Sequence, residues 1–409
     1  MKILMITPYV TIASRPEFEI NKTGFGYMVY DIANAVGKIE GVEVLCSDSR
    51  GDGFVDDGVY YLKRSLLLYM MNIGNCLSIE SLLKLLKTYK MQKESAIRLL
   101  YYWLMTGYLS KLLKKGCYDV VHIHGCGFAT ELWIHVCKKR HIKFLVTLHG
   151  LNSFTETVKL EPAGKKYERD FLQRVVNGEI PITVISTGMK KLIEKNYQVS
   201  ESPNITVVCN SFSFDETNSV RVDIRNKYNI PQVAKIILYV GNISENKNQR
   251  QMIEAFGLLP ANLQEKTYVL FCGRLDGSCN LEDIIEKQAS KSHLILCGGV
   301  DKEYMVNYYE QSDGVALLSY AEGFGLSLIE GMHFGLPCMM FSDMDAFEDI
   351  FDDRCVIGIY NRNNTAVASA MNQLLTSVWG KEHIKRYSEK FDSATMADNY
   401  INVYRQNLK

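Results

Sequence analysis

Short apolar runs of strand length, each followed by a stretch with helical periodicity, recur along this chain and leave it few folds to adopt. In the first half the runs are Lys2–Ile6, Val42–Cys46, Val120–Ile123, Phe144–Leu148, Ile182–Val184 and Ile205–Val208. In the second half they are Lys235–Val240, Tyr268–Cys272, Leu294–Cys297, Gly314–Leu318, Cys338–Phe341 and Cys355–Ile357. Near-continuous Val, Ile and Leu suit strands covered on both faces, and strand–helix alternation builds parallel sheets flanked by helices. A chain of 409 residues exceeds what one hydrophobic core usually fills, so the two series predict two doubly wound α/β domains. The polar stretch after Ser211 and Pro231 before the next strand place the break between Ser211 and Lys235.

Lys+Arg and Asp+Glu balance at 46 each, so no global field draws the protein to nucleic acid, and no nucleic-acid partner is expected. Eleven cysteines show neither a CxxC pair nor a metal-ligand spacing, and the opening apolar run is too short for a signal peptide. These features suit a reducing compartment, with the cytoplasm as the expectation. No run approaches the roughly 18 apolar residues of a membrane span. Ser78–Lys115 is helical in composition and rich in Leu, Tyr and Lys. It reads either as helices packed on the first sheet or as a basic amphipathic surface giving peripheral membrane contact. Lys84, Lys87, Lys90, Lys93, Lys111, Lys114 and Lys115 would supply the charge.

Chemistry concentrates in Tyr320–Pro337, where the strand ending at Leu318 enters a glycine-containing turn and a helix opens near Leu326. Loops of this kind, at a helix N-terminus, are where open α/β sheets bind anions such as a diphosphate. Glu322 and Glu330 invite a glycosidase reading. Were the eight intervening steps helical, the rise would be roughly 12 Å, against about 5–9.5 Å for glycosidase pairs. Two carboxylates so spaced suit gripping different hydroxyls of one elongated ligand.

Glu322-Gly323-Phe324-Gly325-Leu326, with Glu330 and then Gly335-Leu336-Pro337, resembles the signature of glycosyltransferase family 4. The resemblance implies the GT-B fold, two Rossmann-like doubly wound domains facing across a cleft. It sets an acceptor-binding domain at 1–215, a nucleotide-sugar-binding domain at 216–390, and a C-terminal helix in 391–409 crossing back to the first. It implies that Glu322 contacts hydroxyls of the transferred sugar and that Glu330 holds the ribose. Amides of Phe324, Gly325 and Leu326 would face the donor, with Gly323 and Ser327 in the same binding segment. Gly241-Asn242, followed by Lys247, resembles the family's diphosphate loop, with Lys247 neutralising the departing phosphate. The family usually has Arg where Asn242 stands, so one charged clamp is replaced by an amide; Arg250 or Arg274 would be the compensating cation.

Gly298-Gly299-Val300 resembles the base-binding turn, and Arg274 ends another strand on the same edge. Gly24 and Gly26, opening a helix at about Tyr27, stand where the family approaches the donor phosphates. His149 matches a histidine beside the transferred sugar. The catalytic set so implied is His149, Lys247 and Glu322. The implied activity is retaining hexosyl transfer from a UDP- or GDP-sugar to a glycan or lipid-linked acceptor, in bacterial surface polysaccharide synthesis. No cofactor or metal is expected: His122 and His124 share one side of a strand, but no third ligand is evident. A dehydrogenase would need a third glycine after Gly24 and Gly26. A nucleotide-sugar epimerase and a non-catalytic sugar-nucleotide-binding protein stay open as alternatives.

Overall fold

The apolar runs become the inner strands of two sheets, each in its own unit. The computed structural model describes residues 1–12, 15, 18, 24–48, 53–89, 93–154, 161–212 and 220–408. One unit comprises Met1–Ser211 with Ser393–Lys409, and the other Phe212–Asp392. The expected boundary at 215/216 lies outside the described residues.

The first sheet is built from β1 (Lys2–Thr7), β2 (Gly41–Cys46), β3 (Phe54–Asp56), β4 (Val59–Tyr61), β5 (Val120–His124), β6 (Lys143–Leu148), β7 (Ile182–Val184) and β8 (Ile205–Val207). Its order is β3-β4-β2-β1-β5-β6-β7-β8, parallel except for the β3–β4 hairpin. The second holds β9 (Lys235–Val240), β10 (Thr267–Cys272), β11 (Leu294–Gly298), β12 (Gly314–Leu317), β13 (Cys338–Phe341) and β14 (Val356–Ile359). Its order is β11-β10-β9-β12-β13-β14, with every pairing parallel. Residues such as Ile3, Leu4, Val121, Ile236, Leu238 and Val315 are fully enclosed, as strands with helices on both faces require.

The structure differs from the expected elements at several points, and it resolves others. The β3–β4 hairpin was not anticipated; Asp57 and Gly58 at its tip both have positive φ (45° and 81°), the demand of a tight type I′ connection. Cys355 lies just before β14, in the turn where its N–H reaches back to the Asp352 carbonyl at 2.8 Å. The helix expected to open near Tyr27 begins at Gly24. Ser78–Lys115 divides into helices Ile79–Tyr89 and Lys93–Lys115, and the second buries Leu99, Met105, Leu109 and Leu113 as it packs on helix Phe128–Arg140. Lys84, Lys87, Lys111, Lys114 and Lys115 stay exposed, and Lys90 lies outside the described residues.

The last helix runs Ser393–Leu408, within the expected 391–409 segment, and packs on helix Gly24–Gly37 and on β6. Its Tyr400 and Tyr404 are fully enclosed, and the Tyr404 hydroxyl hydrogen-bonds His122 Nδ1 at 2.7 Å. No described helix is long and apolar enough to cross a membrane.

Candidate functional site

In the second sheet β9 lies between β10 and β12, so the chain leaves β9 toward β10 on one side and leaves β12 toward β13 on the other. The loops after β9 and β12 therefore diverge at the carboxyl ends of the strands, where α/β sheets hold ligands. Lys247 lies on the first loop and Glu322 on the second. Three groups fix the pair. The Tyr239 hydroxyl, buried on β9, accepts from the Leu318 N–H at 2.8 Å and donates to the Lys247 carbonyl. The Asn246 side chain donates to the Ala321 carbonyl at 2.9 Å and accepts from the Ala321 N–H at 3.1 Å. Asn248, in the left-handed region at φ 57°, donates to the Leu318 carbonyl at 3.2 Å. So held, the Lys247 ammonium ion-pairs with the Glu322 carboxylate, both side chains about one-fifth exposed (23% and 19%). The Ser319 hydroxyl donates to the same carboxylate at 3.4 Å.

Two glycines make room. Gly241 sits at φ 147°, and a Cβ on Gly273 would lie 1.9 Å from the Gly241 carbonyl oxygen. Gly325, at φ 91°, begins helix Leu326–His333 without a side-chain cap. Its first-turn N–H groups, those of Leu326 and Ser327 among them, thus lack the usual capping oxygen and carry the positive end of the helix dipole. Phe324, 2% exposed, anchors the turn edge-on to Phe391 at 5.6 Å, while Gly323 precedes it in the turn. Glu330 accepts from the Tyr309 hydroxyl at 2.6 Å. Burial, reinforced by Glu330 itself, holds the Tyr309 phenol well above its ordinary pKa, so it stays a donor.

Other expected members divide. Arg274 lies across Gly299, where a Cβ would meet its Cγ at 2.8 Å. Gly299 and Val300 line a cavity of about 310 Å³ together with Lys227, Cys297, Tyr304 and Tyr308. Asn242 is exposed, its carbonyl accepting from Gln249 Nε2 at 3.0 Å. Arg250 is exposed and paired with Glu254 at 2.6 Å. Two residues escaped the sequence reading. Arg362 grips Asp343 through Nε and Nη2 at 2.8 Å each and reaches the Ser319 carbonyl at 3.2 Å; its Nη1 is buried without a hydrogen bond. Asp345 is pushed up to about 6, mainly by burial and further by Glu322 and Asp343.

The first unit has its own point of divergence, between β1 and β5. A cavity of about 540 Å³ lies there, lined among others by Tyr9, Phe25, Arg98, His124, Phe128 and His149. A Cβ on Gly26 would come 2.2 Å from Thr11 Oγ1, whereas Gly24 has open space around it, so only Gly26 is required by packing. Phe25 meets His149 edge-on at 4.9 Å, and His149 Nε2 hydrogen-bonds His124 Nδ1 at 3.1 Å. Burial lowers His149 to about 4, leaving a neutral imidazole at neutral pH. His122 has both ring nitrogens engaged, by Thr147 at 2.6 Å and by Tyr404, so it has no nitrogen left for a metal. Asp352, Cys355 and His383 bring ligand atoms within 4.8 Å of one another. However, Asp352 already accepts from the Arg354 guanidinium at 3.0 and 2.7 Å, and the group reads as an ion-paired turn.

Two family models match the chain in succession: Glycosyltransferase Family 4 over residues 24–216 and Glycosyl transferases group 1 over residues 220–391. The O-antigen chain mannosyltransferase B of Escherichia coli is 20% identical over 268 residues, spanning 64% of this chain and 70% of that protein. Among solved structures, the sucrose-phosphate synthase of Thermosynechococcus elongatus superposes with a TM-score of 0.72 at 16% identity, covering 99% of each chain. Anabaena HepE in complex with UDP and glucose superposes with a TM-score of 0.67 at 12% identity, covering 99% of this chain and 100% of that one. With paired parallel-sheet α/β units, and with the two models meeting near the division between them, this chain belongs to glycosyltransferase family 4 and has the GT-B fold.

Proposed function

We propose that this glycosyltransferase moves a hexosyl group from a UDP- or GDP-sugar to a glycan or lipid-linked acceptor, with retention at the anomeric carbon, in assembly of a bacterial surface polysaccharide. The observation carrying the reading is the Lys247–Glu322 ion pair beside the uncapped N-terminus of helix Leu326–His333. A donor diphosphate at that N-terminus would draw Lys247 toward its oxygens, freeing Glu322 to accept from sugar hydroxyls. As the bond from the anomeric carbon to the phosphate oxygen breaks, negative charge grows on the diphosphate. Lys247 and the first-turn amides, already positioned, stabilise that charge. Glu322 and Glu330 serve binding in this scheme, so no protein nucleophile is invoked. The acceptor oxygen forms its bond to the anomeric carbon on the face the leaving group vacates, and its proton passes to the departing phosphate. No metal takes part, because the two cationic elements carry the charge.

His149, neutral and joined to His124, would orient a sugar hydroxyl, and the aromatic cavity of the first unit would take the acceptor. Support for the donor class comes from the UDP and glucose in the HepE complex, and for the pathway from the O-antigen role in the name of the mannosyltransferase. Asn242 favours one second reading, a sugar-nucleotide binder that does not transfer.

Isothermal titration with UDP and GDP, followed by transfer assays on a panel of nucleotide sugars, separates these readings. Lys247→Ala and Glu322→Ala should each lower kcat by on the order of 10²–10³-fold while circular dichroism stays native. Absence of any nucleoside-diphosphate binding would sink the donor site. Binding without transfer would favour the non-catalytic reading, and conversion of the free nucleotide sugar without acceptor would favour an epimerase.

A further inference from the structure

Six large apolar side chains stand more than half exposed between Leu67 and Leu83: Leu67, Met70, Met71, Ile73, Ile79 and Leu83, at 55–71%. Elsewhere among the described residues, exposed residues of this size are scattered more singly, as is normal on a protein surface. A concentrated exposed patch marks an interaction site. This one does not come from loose chain. Tyr69, Leu77 and Leu82 of the same segment point inward and are buried. Ser65 caps helix Leu66–Met70, and Asn72 Nδ2 donates to the Leu68 carbonyl at 2.6 Å. The Leu77 N–H donates to Thr106 Oγ1 at 3.1 Å and its carbonyl accepts from Trp103 Nε1 at 3.0 Å. A Cβ on Gly107 would lie 2.2 Å from the Asn72 carbonyl oxygen, so the segment sits against helix Lys93–Lys115 as closely as backbone allows. With its inner side committed, the segment holds its outer apolar side to solvent.

We propose that this face docks on an anionic lipid bilayer. Between Leu66 and Met71 every exposed side chain is aliphatic or thioether. Such a surface offers hydrocarbon contact without the directional polar groups and aromatic or Arg anchors typical of protein interfaces. Exposed Lys63, Lys84, Lys87 and Arg98 flank it in sequence against exposed Glu80 and Glu94, an excess of positive charge suited to anionic headgroups. Ile97 and Leu100, 60% and 46% exposed, continue the apolar character onto the helix that lines the first-unit cavity through Arg98 and Tyr102. The docking face extends N-terminal to the basic amphipathic stretch Ser78–Lys115, since most of its apolar part lies before Leu83. The inference is independent of the donor reading.

Co-sedimentation of the full chain with vesicles of phosphatidylcholine plus phosphatidylglycerol, and of phosphatidylcholine alone, tests it. The protein is expected to pellet with the anionic vesicles. The double variant Leu67→Glu/Met71→Glu should reduce this at least about tenfold, because two long apolar side chains leave the hydrocarbon boundary. Lys84→Glu/Lys87→Glu should weaken it most at low salt. Unchanged circular dichroism and unchanged UDP binding in the variants keep folding and the donor site out of the comparison. The proposal is overturned if the native chain pellets with neither vesicle, or if the Leu67→Glu/Met71→Glu protein pellets as the native chain does. It is equally overturned if light scattering finds a vesicle-free dimer that the same substitutions disperse, which would make the face a self-interface.

Discussion

Asp345 carries a charge that the donor diphosphate would have to approach, and its protonation sets whether that charge is present. Burial first, then Glu322 and Asp343, raise its carboxyl to about 6. Above that pH an additional negative charge stands near Glu322; below it the carboxyl is neutral. Lowering pH from about 7.5 to 5.5 should therefore lower the donor KM severalfold, and Asp345→Asn should hold the lower KM across the range. Parallel pH profiles of donor KM in the two proteins would remove Asp345 from the site. The same shift acts on stability with a defined sign. The folded chain holds this proton more tightly than an ordinary carboxyl at 3.8, so its contribution is present at low pH and is lost as pH rises through about 6. Asp345→Asn should then raise the Tm more at pH 8 than at pH 5. His149, lowered to about 4, stays neutral over this window and is not the source of the step. Lys247 and Glu322 were legible in the sequence because each stands inside a short motif. Asp345 and Arg362 follow β13 and β14, and only the strand order β9-β12-β13-β14 brings those strand ends toward Glu322.

At the scale of elements, the glycines divide into those that packing demands and those it does not. Gly273, just after β10, faces the Gly241 carbonyl so closely that a methyl group would overlap backbone, which cannot rotate aside. Gly273→Ala should cost about 1–3 kcal/mol in denaturant unfolding, as overpacking does, and should weaken UDP binding by displacing the loop that carries Lys247. Gly24→Ala has open space and a helical position, so it should leave both stability and binding unchanged. Equal effects of the two substitutions would show that close packing at the strand ends does not govern the loop. The inner strands were readable because burial on both faces leaves unbroken apolar runs. The β3 and β4 strands, three residues each, are too short to establish a period, and their signal was the Asp57-Gly58 turn. The flanking amides of Asn246-Lys247-Asn248 were equally visible as letters, but their role in tying one loop to the next depends on β9 pairing with β12.

For the molecule as a whole, the last helix decides which unit each end of the chain serves. Ser393–Leu408 is distant in sequence from everything it covers, and no local pattern announces that it packs on Gly24–Gly37 and β6. Two strand series were enough to count the units; this attachment rests on long-range burial of Met396, Tyr400, Ile401 and Tyr404. Deleting residues 393–409 would uncover those contacts and strip His122 Nδ1 of its Tyr404 partner, a loss of about 1–3 kcal/mol for the unpaired group alone. Hydrogen exchange by mass spectrometry should then show faster exchange in Gly24–Gly37, β5 and β6, with Phe212–Asp392 unchanged. UDP should act in the complementary place, slowing exchange over Val240–Gln249 and Glu322–Glu330 in native and truncated chains alike, because those segments meet within the second unit. If truncation accelerated exchange at Val240–Gln249 as much as at β5, the donor loops would depend on the last helix, and the assignment of that helix to the first unit alone would fail.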